Sequence, residues 1–188
     1  MSAETVDRCG PWTVKEVLAL PEDSHHRIEL VGGALLMTPN PDIPHQRARH
    51  RLQVLLATAI ESRPAQPWQV LAAVNVAVPD GLLIPDLVVA DLEAAADTDA
   101  MLNARDVAVA VEIASAATRV TDRTLKPALY ATAGIPHYWR LELDPAPRLH
   151  LGRLEGGNYV DRQVPPGQTT AVTEPIPLDI DPAQLVKQ

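Results

Sequence analysis

Phenylalanine is absent from this chain, and three tryptophans and three tyrosines are its only aromatic residues besides histidine. Leu, Val, Ile and Ala therefore have to fill the core, helped by Trp12, Trp68 and Trp139. A single cysteine, Cys9, excludes an internal disulfide and a multi-cysteine zinc centre. No apolar run approaches the roughly 18 residues of a membrane span, and the opening MSAETVDRCG has no signal-peptide profile. No membrane partner and a reducing cytoplasm are the resulting expectations. Positive charge is also short: 16 Lys and Arg against 24 Asp and Glu leave a net charge of −8. Phosphates dominate nucleic-acid affinity and repel an acidic surface, so tight autonomous binding to DNA is not expected. Glycine is half as frequent as proline, nine against eighteen, which suggests stiff, punctuated loops.

What remains is an ordinary globular composition, 46% hydrophobic and 21% charged. Its 188 residues read as one domain, 1–188, able to bury roughly 70% of the unfolded surface. There is no internal repeat and no linker. Thr13 and Glu16 stand at capping-box spacing and predict a helix over 13–20, stopped by Pro21. HRIELVGGALLMT reads as two strands around Gly32 and Gly33, with Ile28 and Leu30 on one face and Glu29 on the other. Pro44 suits the first turn of a helix running to about 62. Its stripe is Ala48, Leu52, Leu55, Leu56, Ala59 and Ile60; His45 projects onto it, whereas Arg47, His50 and Arg51 face away. WQVLAAVNVAVP and LLIPDLVVAD are strand candidates joined by Asp80 and Gly81, and 92–105 is a soft, partly helical connection.

Residues 85–126 carry the chemistry. Val107–Ala114 reads as a buried strand with Val107, Val109, Val111 and Ile113 on one face. Ala108, Ala110, Glu112 and Ala114 take the other, and the small alanines leave room around the carboxylate. Residues 120–133 predict a helix ended by Gly134, begun late or kinked at Pro127, with Asp122, Lys126 and Tyr130 on one face. PHYWRLEL is a further strand, RLHLGRLE and NYVDRQVP form a hairpin around Gly156 and Gly157, and PAQLVKQ makes a short terminal turn. Asp86 and Glu112 on neighbouring strands, with Lys126 nearby, are what metal-assisted phosphodiester hydrolysis needs. Carboxylates hold a hard divalent cation through oxygen, and lysine adds positive charge beside the attacking water or developing oxyanion.

Taken in order, RIELVGGALLMTP, His45, IPDLVVAD, VAVEIASAAT, the Asp122, Lys126 and Tyr130 ladder, and GIPHYWRLEL resemble the Uma2 family. That family of restriction-endonuclease-like proteins lies within the PD-(D/E)XK nuclease superfamily, and the likeness covers nearly the whole chain. It implies an α/β (α+β) fold: a mixed β-sheet flanked by helices, with N-terminal and C-terminal β-hairpins. It also implies a Mg²⁺ or Mn²⁺ site acting on DNA, with Asp86, Glu112 and the Ile113 backbone carbonyl as metal ligands. Glu29 would be an added ligand or a water-orienting group, Lys126 the lysine, and His45 a helix-terminal contact to the substrate or a proton donor. Ala114 stands where the wider superfamily has its lysine, two residues after the glutamate; Lys126 fits the later, helical position of the Uma2 pattern. A homo-oligomer, a dimer, is expected, since cutting two strands favours two sites.

Each residue also has a plainer reading. Glu112 inside an apolar strand has to be paired, metal-bound or exposed on one sheet face. Lys126 could make a solvated pair with Asp122, worth roughly 0.3–0.5 kcal/mol. Asp86 could simply begin a strand, Glu29 could form a surface pair, and His45 could be a hydrogen-bonded core histidine. Tyr130 and Trp139 read as core or rim aromatics, Arg47 and Arg51 as a solvated face, and His25 and His26 diverge too much to share an ion. The rival to a nuclease is a degenerate member that keeps the fold as a binding or assembly module; RNA or a smaller phosphoester is a third reading.

Overall fold

The computed structural model describes residues 10–187 apart from 22, 24, 64–66, 99, 116 and 117. Cys9, and Ala116 and Ala117 of the VAVEIASAAT stretch, lie outside the described residues. The capping box forms: the Thr13 N–H donates to Glu16 Oε2 at 2.9 Å and opens α1 (Val14–Leu18), shorter than 13–20. β1 (His26–Val31) and β2 (Ala34–Pro39) form the expected hairpin, in which Gly32 and Gly33 take positive φ of 56° and 80°. Asp42 then caps α2 (Ile43–Glu61) by accepting the His45 N–H at 2.9 Å, with Pro44 in its first turn. The stripe is buried at Ala48, Leu52, Leu56, Ala59 and Ile60; Leu52 and Leu56, wholly covered, each contribute about 1.5–3 kcal/mol.

The next two candidates are each broken in two. WQVLAAVNVAVP yields β3 (Trp68–Ala72) and β4 (Val76–Val78), bent at Ala73, whose φ is +51°. LLIPDLVVAD yields β5 (Gly81–Leu83) and β6 (Leu87–Asp91), interrupted where Pro85 has no N–H to give a ladder. The hairpin turn between β4 and β5 is made by Pro79 and Asp80, and Gly81 already belongs to β5. A side chain there would run into the Leu30 carbonyl. This double break divides the chain between two sheets, so β4 and β5 join β1 while β3 and β6 pair in the other.

After α3 (Leu92–Ala96) and the two-residue β7 (Leu102–Asn103) comes β8 (Val107–Ala114), buried along its length. Its alternation holds except at its start. Val89 pairs with Val109 but Ala90 with Val107, so Ala108 bulges. Ala108 thereby joins Val109, Val111 and Ile113 in the core under α2, and Val107 turns to the opposite core. A wide π-type turn, Thr121–Leu125, leads into α4 (Lys126–Thr132), followed by Gly134 at φ 77°. β9 (His137–Glu142) runs parallel to β8, and β10 (Arg148–Glu155) and β11 (Asn158–Val164) make the C-terminal hairpin. The proline-spaced tail adds an unforeseen ribbon, β12 (Thr170–Val172) with β13 (Leu178–Ile180), before α5 (Pro182–Leu185).

The five-stranded sheet has order β2-β1-β5-β4-β7 and the six-stranded sheet β11-β10-β9-β8-β6-β3; each holds one parallel pair, so both are mixed. One face of the larger sheet packs on α2, α5 and the ribbon. The other meets α4 and strands of the smaller sheet. No helix among the described residues is long and apolar enough to cross a membrane.

Candidate active site

The corner between the two sheets is where the singled-out residues converge. The register Leu87 to Val111, continued by one residue, sets Asp86 level with Glu112. Both precede or follow apolar strand residues on the face away from α2, and both are buried, at 2% exposure each. β1 brings Glu29 to the same corner, where its Oε1 accepts the Ile84 N–H at 2.7 Å just as the chain crosses between sheets. α2 contributes His45 from its first turn, and the π-type turn with α4 contributes Asp122, Lys126 and Tyr130. Pro127 explains the wide turn. Its ring would strike the carbonyl four residues back in a regular helix, and the Lys126 N–H instead reaches Thr121, five back. The Tyr138 hydroxyl donates to the Asp122 carbonyl at 2.7 Å and pins that turn to β9.

Lys126 turns inward. Its Nζ lies 2.9 Å from Glu112 Oε1, 3.1 Å from Glu29 Oε1 and 3.9 Å from Asp122 Oδ1, with the residue 4% exposed. The solvated helix pair is thus excluded as its whole role. Burial opposes the charged ammonium, but the Glu112, Glu29 and Asp122 carboxylates outweigh it and raise the Lys126 pKa. The Tyr130 hydroxyl donates to the same Glu112 oxygen at 2.7 Å. Burial also lifts Glu112 well above the usual carboxylate range; Lys126 opposes this, and the neighbouring Asp122, Asp86 and Glu29 add to it. Asp122 is pushed up to about 6 by burial, against the pull of Lys126. Asp86 goes the other way. Burial would raise it, but three donors hold it at about 2: His45 Nε2 at 2.8 Å and an Arg27 guanidinium N–H at 2.7 Å on Oδ1, and the Ile113 N–H at 2.7 Å on Oδ2.

Arg27, His45, Asp86, Glu112, Asp122 and Lys126 line a cleft of about 260 Å³ together with Thr38, Asn40, Ser115 and Thr118, and Glu29 and Tyr130 stand behind that lining. Four buried carboxyl groups face one buried ammonium and the guanidinium of Arg27, so the cluster is short of positive charge. Glu29 Oε2 and Asp122 Oδ1 are buried with no hydrogen-bond partner. An all-oxygen donor set with two unsatisfied acceptors suits a hard divalent cation. Among the described residues, however, no three His, Cys, Asp or Glu side chains are already disposed around a common ion. Protein cations hold the carboxylates instead.

Glu29, His45, Asp86, Glu112 and Lys126, all read from the sequence, are therefore brought together. Ile113 lines the cleft, and the contact it makes to Asp86 is through its N–H. Sequence reasoning missed Arg27, although period-two alternation puts it on the Glu29 side of β1, and it treated Asp122 and Tyr130 as mere companions of Lys126. Trp139 is core, packed on the α2 side. Arg51 is not simply solvated: its guanidinium donates to the Gln184 carbonyl at 3.0 Å and so ties α2 to the C-terminal turn. His26 pairs with Asp23 at 3.3 Å, outside this cleft.

A search of curated proteins returns no match. Among solved structures the chain is similar to that of a "putative nuclease belonging to DUF820" from Anabaena variabilis, at 18% identity and a TM-score of 0.76. The match covers 94% of this chain and all of the other, and at that identity it speaks for the fold. The family model Uma2, described as "Putative restriction endonuclease", matches residues 14–184. Spanning nearly all the described residues and the whole of the cleft, that match means that this chain belongs to the Uma2 family.

Proposed function

We propose that the chain is a divalent-metal-dependent endonuclease hydrolysing DNA phosphodiester bonds, acting as a single domain and as a dimer in the cytoplasm. The observation that carries the reading is the buried ammonium of Lys126 among Glu29, Glu112 and Asp122, beside Asp86 in one open cleft. Asp86 and Glu112, with Glu29 and the Ile113 carbonyl, are the groups that would hold Mg²⁺ or Mn²⁺. The ion, when bound, supplies Lewis-acid stabilisation of the charge that builds on the phosphate. Lys126, fully protonated, sets a positive charge beside the attacking water and the phosphate oxygens. His45 holds the Asp86 carboxylate in place through Nε2, its Nδ1 being buried with no hydrogen-bond partner, and from the cleft lining it is the candidate helix-terminal contact to the substrate. Tyr130 fixes the Glu112 carboxylate from the helix side.

A second reading, a catalytically degenerate binding or assembly module, is favoured by the way Arg27, His45 and Ile113 already occupy both Asp86 oxygens. Calorimetric titration with Mg²⁺ or Mn²⁺ separates the two: the nuclease binds the ion, and Glu112→Ala does not. Cleavage of supercoiled plasmid by wild type, lost in Asp86→Ala and Lys126→Ala, is the direct check. Absence of ion binding in wild type, or equal binding in both proteins, sinks the nuclease and leaves the module.

A further inference from the structure

We propose that Arg27 is the site's own stand-in for the divalent cation, and the residue that grips the substrate phosphate once the ion has entered. This rests on the nuclease reading. Asp86 offers two oxygens, and three donors fill them. The carboxylate therefore has to lose a donor before it can serve an ion, which agrees with the lack of any ready-made three-residue cage among the described residues.

The three donors differ in freedom. The Ile113 N–H is backbone within β8 and cannot leave. His45 is 5% exposed, and its α2 turn is fixed by the Asp42 cap. Arg27 keeps 15% of its side chain exposed and borders two cavities at once, the catalytic cleft and an adjoining one of about 560 Å³. It is the donor with somewhere to go. Its backbone partner across the hairpin is Thr38, which also lines the cleft, so a released guanidinium stays within the cleft's lining and within reach of a phosphate bound there. Guanidinium also suits a phosphate chemically, being always charged, planar, and able to meet two phosphate oxygens with parallel N–H donors.

Two cations that compete for one carboxylate weaken each other's binding. Removing Arg27 should then tighten the ion, the opposite of what losing a ligand or a structural support does. Loss of one charge-assisted hydrogen bond corresponds to about a tenfold effect or more. Titration of Mn²⁺ into wild type, Arg27→Met and Arg27→Lys by calorimetry should give a dissociation constant at least about tenfold lower for Arg27→Met. Arg27→Lys, which keeps the charge but loses the fork, should fall between. With each protein saturated in Mn²⁺, plasmid cleavage by Arg27→Met should still drop at least about tenfold, and Arg27→Lys should recover part of it. Unchanged or weaker Mn²⁺ binding in Arg27→Met overturns the stand-in role, and full cleavage at saturation overturns the phosphate role. If Arg27→Met does not fold, the intermediate affinity of Arg27→Lys decides alone: no tightening overturns the proposal. Failure of wild type itself to bind Mn²⁺ removes the nuclease reading and this proposal with it, an outcome distinct from equal binding by wild type and variant.

Discussion

Replacing Lys126 with methionine keeps most of the side chain's length and removes the charge together with the hydrogen bond it donates to Glu112. The ammonium it deletes is 4% exposed and lies within 3.1 Å of two carboxylates and 3.9 Å from a third. Taking one partner from a buried ion pair typically costs about 3–5 kcal/mol, because the other is left uncompensated. Proton uptake by the carboxyls limits the damage, and its extent depends on pH. Lysine raised above its usual pKa contributes stability that is lost only as pH climbs past the alkaline range, so between pH 5 and 8 it stays charged in both states and adds no slope. The slope in the variant comes from the acids. Asp122 titrates at about 6 even with Lys126 present. Protonating it at pH 8 would cost about 3 kcal/mol, whereas at pH 5 the proton is already bound. Urea unfolding in EDTA should therefore show Lys126→Met destabilised by about 3–5 kcal/mol at pH 8 and by roughly half that at pH 5, with unchanged m-values. A loss below about 1 kcal/mol at pH 8, or the same loss at both pH values, would mean that Lys126 behaves as an exposed helix pair and that the buried cluster does not form.

Asp122→Asn should do the reverse. A carboxyl raised from 3.8 to about 6 makes the folded protein lose stability as pH rises between those values, so the metal-free asparagine variant should match wild type near pH 4 and exceed it by up to about 3 kcal/mol at pH 8. A less stable variant at pH 8 refutes this. Tyr130→Phe deletes the 2.7 Å hydrogen bond to Glu112 and should cost about 1.5–3 kcal/mol in thermal or chemical unfolding; a neutral result would show that the bond is not made. Glu142 is raised by burial but held at about 2 by the Arg123 and Arg140 guanidiniums, so its stabilisation is present above about pH 4.5 and lost as pH falls towards 2. Since Arg123 is itself 45% exposed, Arg123→Ala should cost little near neutrality and less still towards pH 2, seen as a displaced acid-unfolding curve.

Local chemistry made much of this legible from the chain alone. Two Gly-Gly pairs between alternating runs specify their hairpins, the Thr13 and Glu16 spacing specifies a helix start, and period two separates Glu29 from Ile28 and Leu30. Glu112 announces itself because a carboxylate in an apolar strand needs a partner. What could not be read is where strands change sheet. From 68 to 78 and from 82 to 91 the sequence is apolar enough for uninterrupted strands; only Pro85 hints at a break, and the positive φ of Ala73 has no residue-type signal. The Ala108 bulge is equally silent, since alanine and valine fit either face of a strand buried on both. Arg27 was visible in principle, but an arginine two residues before a glutamate reads as ordinary surface alternation until Asp86 is placed beside it.

The same placement changes the meaning of the net charge. Among the described residues, Glu29, Asp86, Glu112, Asp122 and Glu142 are buried against only two buried cations, Lys126 and Arg140. Part of the formal net charge of −8 is therefore carried by acidic residues buried inside the protein. Those remaining outside repel nucleic acid at long range, so on the nuclease reading capture would have to come from short-range contacts at the cleft. Inside, the surplus acts in the opposite sense. Asp122 holds its proton up to about pH 6 and Glu112 well above its usual range because burial strips them of water and the neighbouring carboxylates add to it, against the pull of Lys126. On the nuclease reading, a divalent ion held there would compete with those protons and with the Arg27 guanidinium, and a guanidinium so released would leave positive charge in the cleft lining.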